Sequence, residues 1–417
     1  MRRSERRGRL VYVVGSFPSL SETFILREMR ELERRGFQLS ILSLESGEDV
    51  VHDSAAELAD RAVYRPSPLS FRSMLGGFVA MVRHPFAYMS ALIFMLRCMV
   101  RSPGASGELL RSFCEAAFFA CALRGKRPKH VHAHFASMPA TVGLLLAHIL
   151  ETTFSVSAHA RDLFTDEAVL MDRKMREAEF VTVCTQYGLE QLRRQHPVSS
   201  KERLNLIYHG IDVVELMPLP QPDRAKGGRP LILSVGRLVE KKGFPILLRA
   251  AAMLRREGVE FELRIIGRGP DEGDLKRLAS GLALEGCVHF DGAIPQEELI
   301  PLFRTADLFV LASIVASDGD RDGLPNVLLE ALALGVPAVS TRVSAIPELI
   351  EHEETGLLAN PGDSKGLAQQ MERLLFDEQL RAKVIEQGRL EVVERFDVTE
   401  NVAKLADLFS EVMKRRR

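Results

Sequence analysis

Short apolar runs bounded by turn residues recur along the chain, and between them the apolar positions shift to helical spacing. In the first half LVYVVG, LSILSL, HVHAHF, FSVSAH and FVTVCT read as buried strands; in the second PLILSVGR, FELRIIGRG, CVHFDG, LFVLAS and PAVSTR do the same. Between the first two runs, ETFILREMRELERRG has the charged face and glycine stop of an amphipathic helix. Strand and helix in alternation predict α/β layering with mainly parallel sheets, because a parallel connection needs a crossover. HGIDVVELMPLPQPDRAKGGRP breaks the rhythm with Pro and Gly and lacks periodicity, so it reads as a linker. The pattern predicts two Rossmann-like domains facing one another across a cleft: residues 1–209, a linker over 210–228, residues 229–395, and a helix over 396–417 that crosses back.

One stretch departs from the alternation. LSFRSMLGGFVAMVRHPFAYMSALIFMLRCMV, from Leu69 to Val100, is split by Arg83, His84 and Pro85 into two helices. Neither reaches the ~20 apolar residues that span a bilayer. From Arg61 to Gly107 there are six arginines and no Asp or Glu, interleaved with Phe71, Phe78, Phe86, Tyr88 and Phe94. This basic, apolar insertion at about 69–120 suits either a hairpin packed on its own domain or a pair of helices lying on an anionic membrane surface.

A chain of 417 residues exceeds what one core usually supports, which agrees with two domains. With 46% hydrophobic and 27% charged residues it is an ordinary globular composition rather than a disordered one. Lys plus Arg number 55 against 56 acids, so the global field argues against nucleic acid as the partner. The five cysteines, at 98, 114, 121, 184 and 287, are odd in number and lack CxxC spacing, which points to a reducing, cytoplasmic compartment. LVYVVG, after the basic MRRSERRGRL, is too short for a signal peptide. The expected location is cytoplasmic, with the insertion suited to the inner face of the plasma membrane.

The densest chemistry lies in DGDRDGLPNVLLEALALGVP, residues 318–337. Asp322 precedes Gly323, Leu324, Pro325 and Asn326, and Glu330 sits inside the apolar helix that follows, which Gly335 and Pro337 end. A helix start flanked by one acid on a loop and a second on the helix suits a phosphorylated, hydroxyl-rich ligand. Asp318, Asp320, Asp322 and Gly323 also match the opening of a calcium loop, but the closing carboxylate position holds Leu329. Gly236 and Arg237 stand at a strand end while Lys242 and Gly243 open a helix, two cations placed to clamp a diphosphate. Gly267, Gly269 and Gly273 are spaced GxGxxxG on the second strand of their half, whereas a dinucleotide fingerprint belongs on the first. His130, His132 and His134 alternate on one strand face but lack a carboxylate or Cys nearby in sequence, so no metal site is assigned.

Taken together, SVGRLVEKKGF, IIGRGPDEGDLKRL and DGLPNVLLEALALGVPAVST resemble the nucleotide-binding half of a family 4 glycosyltransferase of GT-B fold. GSFPSLSETFILREMREL, HAHFAS, SAHARDLF and YHGID resemble that family's acceptor domain and linker, in the right order over nearly the whole chain. The resemblance implies that Glu330 holds the donor ribose and that Asp322 lies by the donor sugar. The family usually has Glu at both positions, and Asp322 is one methylene shorter. It further implies that the amides of Gly323, Leu324, Pro325 and Asn326 line the sugar and phosphate. Arg237 and Lys242, beside Gly236, Gly267 and Gly269, would neutralise the leaving diphosphate. Ala293 and Ile294 of the GAIP turn resemble the base-cradling loop, Ser21 and Thr23 the phosphate-facing loop of the first domain, and His159 a residue bonded to donor sugar or acceptor. The implied activity is transfer of a hexose, with retention and without metal or other cofactor, from a nucleotide diphosphate sugar to a lipid-linked glycan, as in exopolysaccharide or lipopolysaccharide biosynthesis. The rival readings are a non-catalytic sugar- or calcium-binding module and an NAD-linked enzyme.

Overall fold

Each apolar run of the alternating pattern is a parallel strand. In the computed structural model, which describes residues 7–19, 22–47, 53–67, 70–165, 170–197, 203–218 and 228–415, thirteen strands form two sheets. The first contains β1 (Gly8–Phe17), β2 (Phe37–Ser46), β3 (Val63–Tyr64), β4 (His130–His134), β5 (Thr153–Ala158), β6 (Val181–Val183) and β7 (Leu204–Leu206), in the order β3-β2-β1-β4-β5-β6-β7. The second contains β8 (Leu231–Val235), β9 (Glu262–Ile266), β10 (Val288–Gly292), β11 (Leu308–Val310), β12 (Ala338–Thr341) and β13 (Leu357–Ala359), in the order β10-β9-β8-β11-β12-β13. In both, the order reverses beside the first strand, and that is the doubly wound arrangement in which ligands bind off the strands' carboxyl ends. Ser21 and positions 219–227 of the expected linker lie outside the described residues.

The chain divides into two compact units. The first comprises Met1–Cys184, Gly188–Ile207 and Val402–Arg417, and the second Thr185–Tyr187 and Tyr208–Asn401. The last helix, Val398–Arg415, therefore returns most of its length to the first unit, as the sequence pattern predicts. Phe409 is the reason: it is fully buried, with its ring 5.1 Å from His132, 5.5 Å from Phe180 and 6.2 Å from Phe37.

Within the first unit, the three histidines of β4 face a ladder of hydroxyls on β5. His130 has Thr153 Oγ1 at 2.7 Å and Ser155 Oγ at 2.6 Å; His132 has Ser155 Oγ at 2.7 Å and Ser157 Oγ at 3.0 Å. Burial pushes the His130 imidazole down to about 3 and that of His132 well below its usual range, so both are neutral rings satisfied by neutral partners. The fold does bring a carboxylate to this face, Glu28, which forms a cluster with His132 and His134 that the spacing along the sequence could not reveal.

The turn after β4 is held by a buried clamp. Asp162 accepts hydrogen bonds from the amides of Ala136 (2.8 Å), Ser137 (3.1 Å) and His159 (3.0 Å), while the Lys174 ammonium donates to the carbonyls of Ala136 (2.5 Å) and Ser137 (2.8 Å). Two buried charges of opposite sign thus satisfy both amides and both carbonyls of two successive residues and fix His159 at the start of the short helix Ala160–Phe164. Burial holds the Lys174 ammonium down at about 8, below its ordinary 10.5. Between those values the unfolded chain binds a proton that the folded chain lacks, so this residue's contribution to stability grows as pH rises; below pH 8 both states are protonated and the burial cost is fully present. The stability of the parent relative to Lys174→Met, from chemical unfolding at a series of pH values, should accordingly move in the parent's favour above pH 8, with a slope of up to about 1.4 kcal/mol per pH unit. A difference that stays flat over that window would show that Lys174 titrates normally.

Candidate active site

In the second unit, the loops leaving β8, β9, β10 and β11 are bonded to one another in sequence. The amide of Gly236 donates to Ile266 O at 2.9 Å, that of Leu238 to Arg268 O at 2.9 Å, and that of Gly267 to Gly292 O at 2.8 Å. Gly267 and Gly269 are explained by this packing. A Cβ at Gly267, where φ is +146°, would stand 1.9 Å from Gly236 O, and one at Gly269 would stand 2.1 Å from Leu238 O. Their place in the site is to let one loop's backbone lie on the next. The dinucleotide reading of the same glycines gains nothing from this geometry.

The β8 and β11 loops are joined more firmly, by side chains. The amide of Ile314 donates to Lys241 O at 2.9 Å, Ser317 Oγ to Glu240 at 2.8 Å, and Lys241 pairs with Asp320 at 3.0 Å. Deepest of these contacts, Lys242 Nζ lies 2.9 Å from Asp322 Oδ2, which also accepts from Ser313 Oγ at 2.9 Å. The two cations expected to clamp a diphosphate are therefore in different surroundings. Lys242, whose stem lies against Gly236, is already engaged by Asp322, while Arg237 is exposed and its guanidinium makes no hydrogen bond or ion pair among the described residues. Asp322 lies three residues before Pro325, which caps the helix Asn326–Ala333. Asp320 and Asp322 both turn to lysines, an arrangement suited to cross-linking loops and unlike a calcium cage.

Glu330 lies in the second turn of that helix, 5% exposed, and accepts a hydrogen bond from Gln296 Nε2 at 3.1 Å. Gln296 opens the helix that follows the Ala293–Ile294–Pro295 turn, so this contact brings the candidate ribose acid to the candidate base loop. Neither Gln296 nor Ser313 stands out in the sequence, since a lone amide and a lone hydroxyl carry no spacing signal. Gly323 and Leu324 lead into the helix start, where Asn326 Oδ1 is buried with no hydrogen-bond partner among the described residues. A buried acceptor in that condition is what a ligand hydroxyl satisfies.

The first unit supplies a separate cluster at the ends of β4 and β5. Tyr12 donates to Glu28 Oε1 at 2.7 Å, the same oxygen lies 2.9 Å from His134 Nε2, and His134 Nδ1 lies 3.2 Å from His159 Nε2. Because a carboxylate only accepts, Nε2 of His134 carries the hydrogen on that contact; its Nδ1 shares a hydrogen with Nε2 of His159, whose side chain also accepts from the amide of Asp162 at the start of its helix. Burial and the neighbouring Glu28 charge push the Tyr12 hydroxyl well above its usual range, so it stays a donor. Phe135, at φ +73°, places its ring 4.4 Å from His159. Thr23, the other candidate in this unit, opens the helix Thr23–Arg34 and is 9% exposed.

Comparison with known proteins accords with this geometry. Residues 219–391 match the family described as Glycosyl transferases group 1. WcaL of Escherichia coli (strain K12), named as a glycosyltransferase of colanic acid biosynthesis, is 28% identical over 85% of this chain and 87% of its own length. The amylovoran biosynthesis glycosyltransferase AmsK of Erwinia amylovora is 42% identical over 42% of this chain and 44% of its own. Among solved structures, Anabaena Alr3699/HepE in complex with UDP-glucose superposes with a TM-score of 0.69 at 18% identity, over 97% of this chain and all of that one. With two doubly wound parallel sheets, a returning C-terminal helix and these relatives, residues 219–391 belong to the group 1 glycosyltransferases and the chain as a whole has the GT-B fold.

Proposed function

We propose that this glycosyltransferase moves a hexose from a nucleotide diphosphate sugar onto a growing, lipid-linked cell-surface glycan in the cytoplasm, with retention of configuration. The observation that carries the reading is the array at the carboxyl ends of β8 to β11: Arg237, Lys242, the start of the helix Asn326–Ala333 and the buried acid Glu330 lie on loops bonded into one edge. The names of the relatives in colanic acid and amylovoran biosynthesis support the glycan as acceptor, and the UDP-glucose bound by the Anabaena protein supports a nucleotide-sugar donor.

The chemistry follows from charge. As the glycosidic bond breaks, the nucleoside diphosphate gains negative charge, and preorganised donors stabilise that change more than they stabilise the ground state. Arg237 offers a planar fork and Lys242 a point charge, and the amides at the helix start add a positive partial field. Asp322 holds Lys242 at 2.9 Å, so the phosphate competes with a carboxylate for it. Glu330 is placed to accept from the ribose hydroxyls, and His159 is the first unit's candidate for contact with donor sugar or acceptor. No carboxylate among these is assigned as nucleophile. Departure of the phosphate on the same face as acceptor attack, with that phosphate taking the acceptor's proton, fits the residues available. Since the protein's own cations supply the positive field, a divalent metal is redundant in this mechanism.

Replacing Glu330 with Gln keeps an acceptor but turns its hydrogen bond to ribose from charge-assisted to neutral, a loss of about 1 kcal/mol. Calorimetric titration should show affinity for UDP or GDP, whichever binds the parent, reduced by that amount with the fold intact. Turnover of the parent should persist in excess EDTA. Unchanged nucleotide affinity in Glu330→Gln sinks the ribose assignment, and loss of turnover in EDTA with recovery on added Mg²⁺ sinks the metal-free one.

A further inference from the structure

The insertion between β3 and β4 carries an apolar surface that the rest of its unit does not cover. Its helices Phe71–Arg83 and Pro85–Arg101 meet at a bend of 117°. On the first, Phe71, Met74, Phe78 and Val82 are 77%, 70%, 59% and 63% exposed. On the second, Phe86, Met89, Ile93, Leu96 and Val100 repeat at spacings of three and four and are 42–91% exposed. The opposite face of the second helix is already used, with Ala87, Ala91, Met95 and Cys98 buried. Gly76 of the first helix is packed so closely that a Cβ there would stand 3.0 Å from the Phe118 ring. Each helix therefore has one face in the core and a second, separate apolar stripe toward solvent, which folding of this unit does not require.

The charges identify what that stripe meets. Of the six arginines counted along the sequence, two are spent inside the unit: Arg61 pairs with Glu33 at 2.9 Å, and Arg65 with Glu115 at 2.7 Å and Glu45 at 3.0 Å. The other four, Arg72, Arg83, Arg97 and Arg101, are exposed and form no ion pair among the described residues. Each directly follows an exposed apolar residue: Phe71, Val82, Leu96 and Val100. Guanidinium groups thus flank the apolar stripe, as in helices that bury side chains at the level of lipid head groups and extend their cations toward phosphate. A second copy is a poor occupant, since it would bring four more unpaired arginines to a segment without a carboxylate. Among the described residues no single helix is long and apolar enough to cross a membrane, and this pair is so only with its two helices taken together across the bend; surface insertion is the geometry that matches the solvent-facing stripe and its flanking arginines.

We infer that the bent pair Phe71–Arg83 and Pro85–Arg101 is a docking surface for an anionic lipid bilayer, with the stripe from Phe71 to Val100 entering the interface and the four arginines on lipid phosphates. The inference goes beyond the transfer reaction and does not depend on it, because lipid binding is read without any substrate.

Sedimentation of the full chain with phosphatidylglycerol-containing vesicles and with pure phosphatidylcholine vesicles, at low and high salt, tests it. The parent should bind the anionic vesicles at low salt and lose most of that binding at high salt. Phe78→Ser combined with Phe86→Ser should lower the bound fraction on the anionic vesicles at least tenfold. Arg72→Gln combined with Arg97→Gln should abolish the preference for anionic over neutral vesicles. All four sites are exposed, so circular dichroism and thermal unfolding should match the parent and exclude misfolding as the cause. Absence of binding to anionic vesicles at low salt overturns the inference. So does a parent dimer, seen by analytical ultracentrifugation, that Phe86→Ser dissociates while lipid is ignored.

Discussion

The ion pair between Lys242 and Asp322 is the constraint on which the candidate site of the second unit depends. Its two members sit at 13% and 9% side-chain exposure, where leaving either charge unpartnered is costly. Ser313 occupies a further lone pair of the carboxylate, so the pair meets the condition under which a buried charge is tolerated. It closes the gap between the loops after β8 and β11, the two neighbouring strands at which the sheet order reverses. Arg237 on one loop and the helix Asn326–Ala333 beyond the other are placed by that closure. A phosphate entering there meets a lysine that is fixed in position yet can exchange one anionic partner for another.

The first unit also uses buried charges, for a different end. There the buried Lys174 and Asp162 grip backbone rather than each other, which holds the turn after β4 and the start of the helix Ala160–Phe164 together. The outcome is a connected set in which Tyr12 and His134 both donate to Glu28, and His134 in turn meets His159. A histidine ring held by partners at its edge has a defined orientation, whereas an isolated one would be free to present either nitrogen.

Much of this was legible in the chain. The long β-branched runs, the glycine and proline stops around Glu330, and the split at Arg83–Pro85 each have a local physical signal, and each is where the pattern puts it. Strands β3, β7 and β13, of two or three residues, have no period to detect. The site's cations were legible as residue types but not as partners, because the link from Lys242 to Asp322 spans eighty positions. Glu28 reads as one more charge on an amphipathic helix, and only the packing of that helix beside β4 turns it toward His134. Likewise, the arginine count of the insertion overstates its free charge by the two residues that find acids in the fold.

The central claim is that Asp322 and a donor diphosphate share Lys242. The most direct measurement is a double-mutant cycle on nucleoside diphosphate affinity by calorimetry, using the parent, Asp322→Asn, Lys242→Met and the double variant. Asp322→Asn should raise affinity by releasing the lysine to the phosphate, and that gain should vanish in the Lys242→Met background. A loss of affinity in Asp322→Asn that is the same with and without Lys242 would contradict the account.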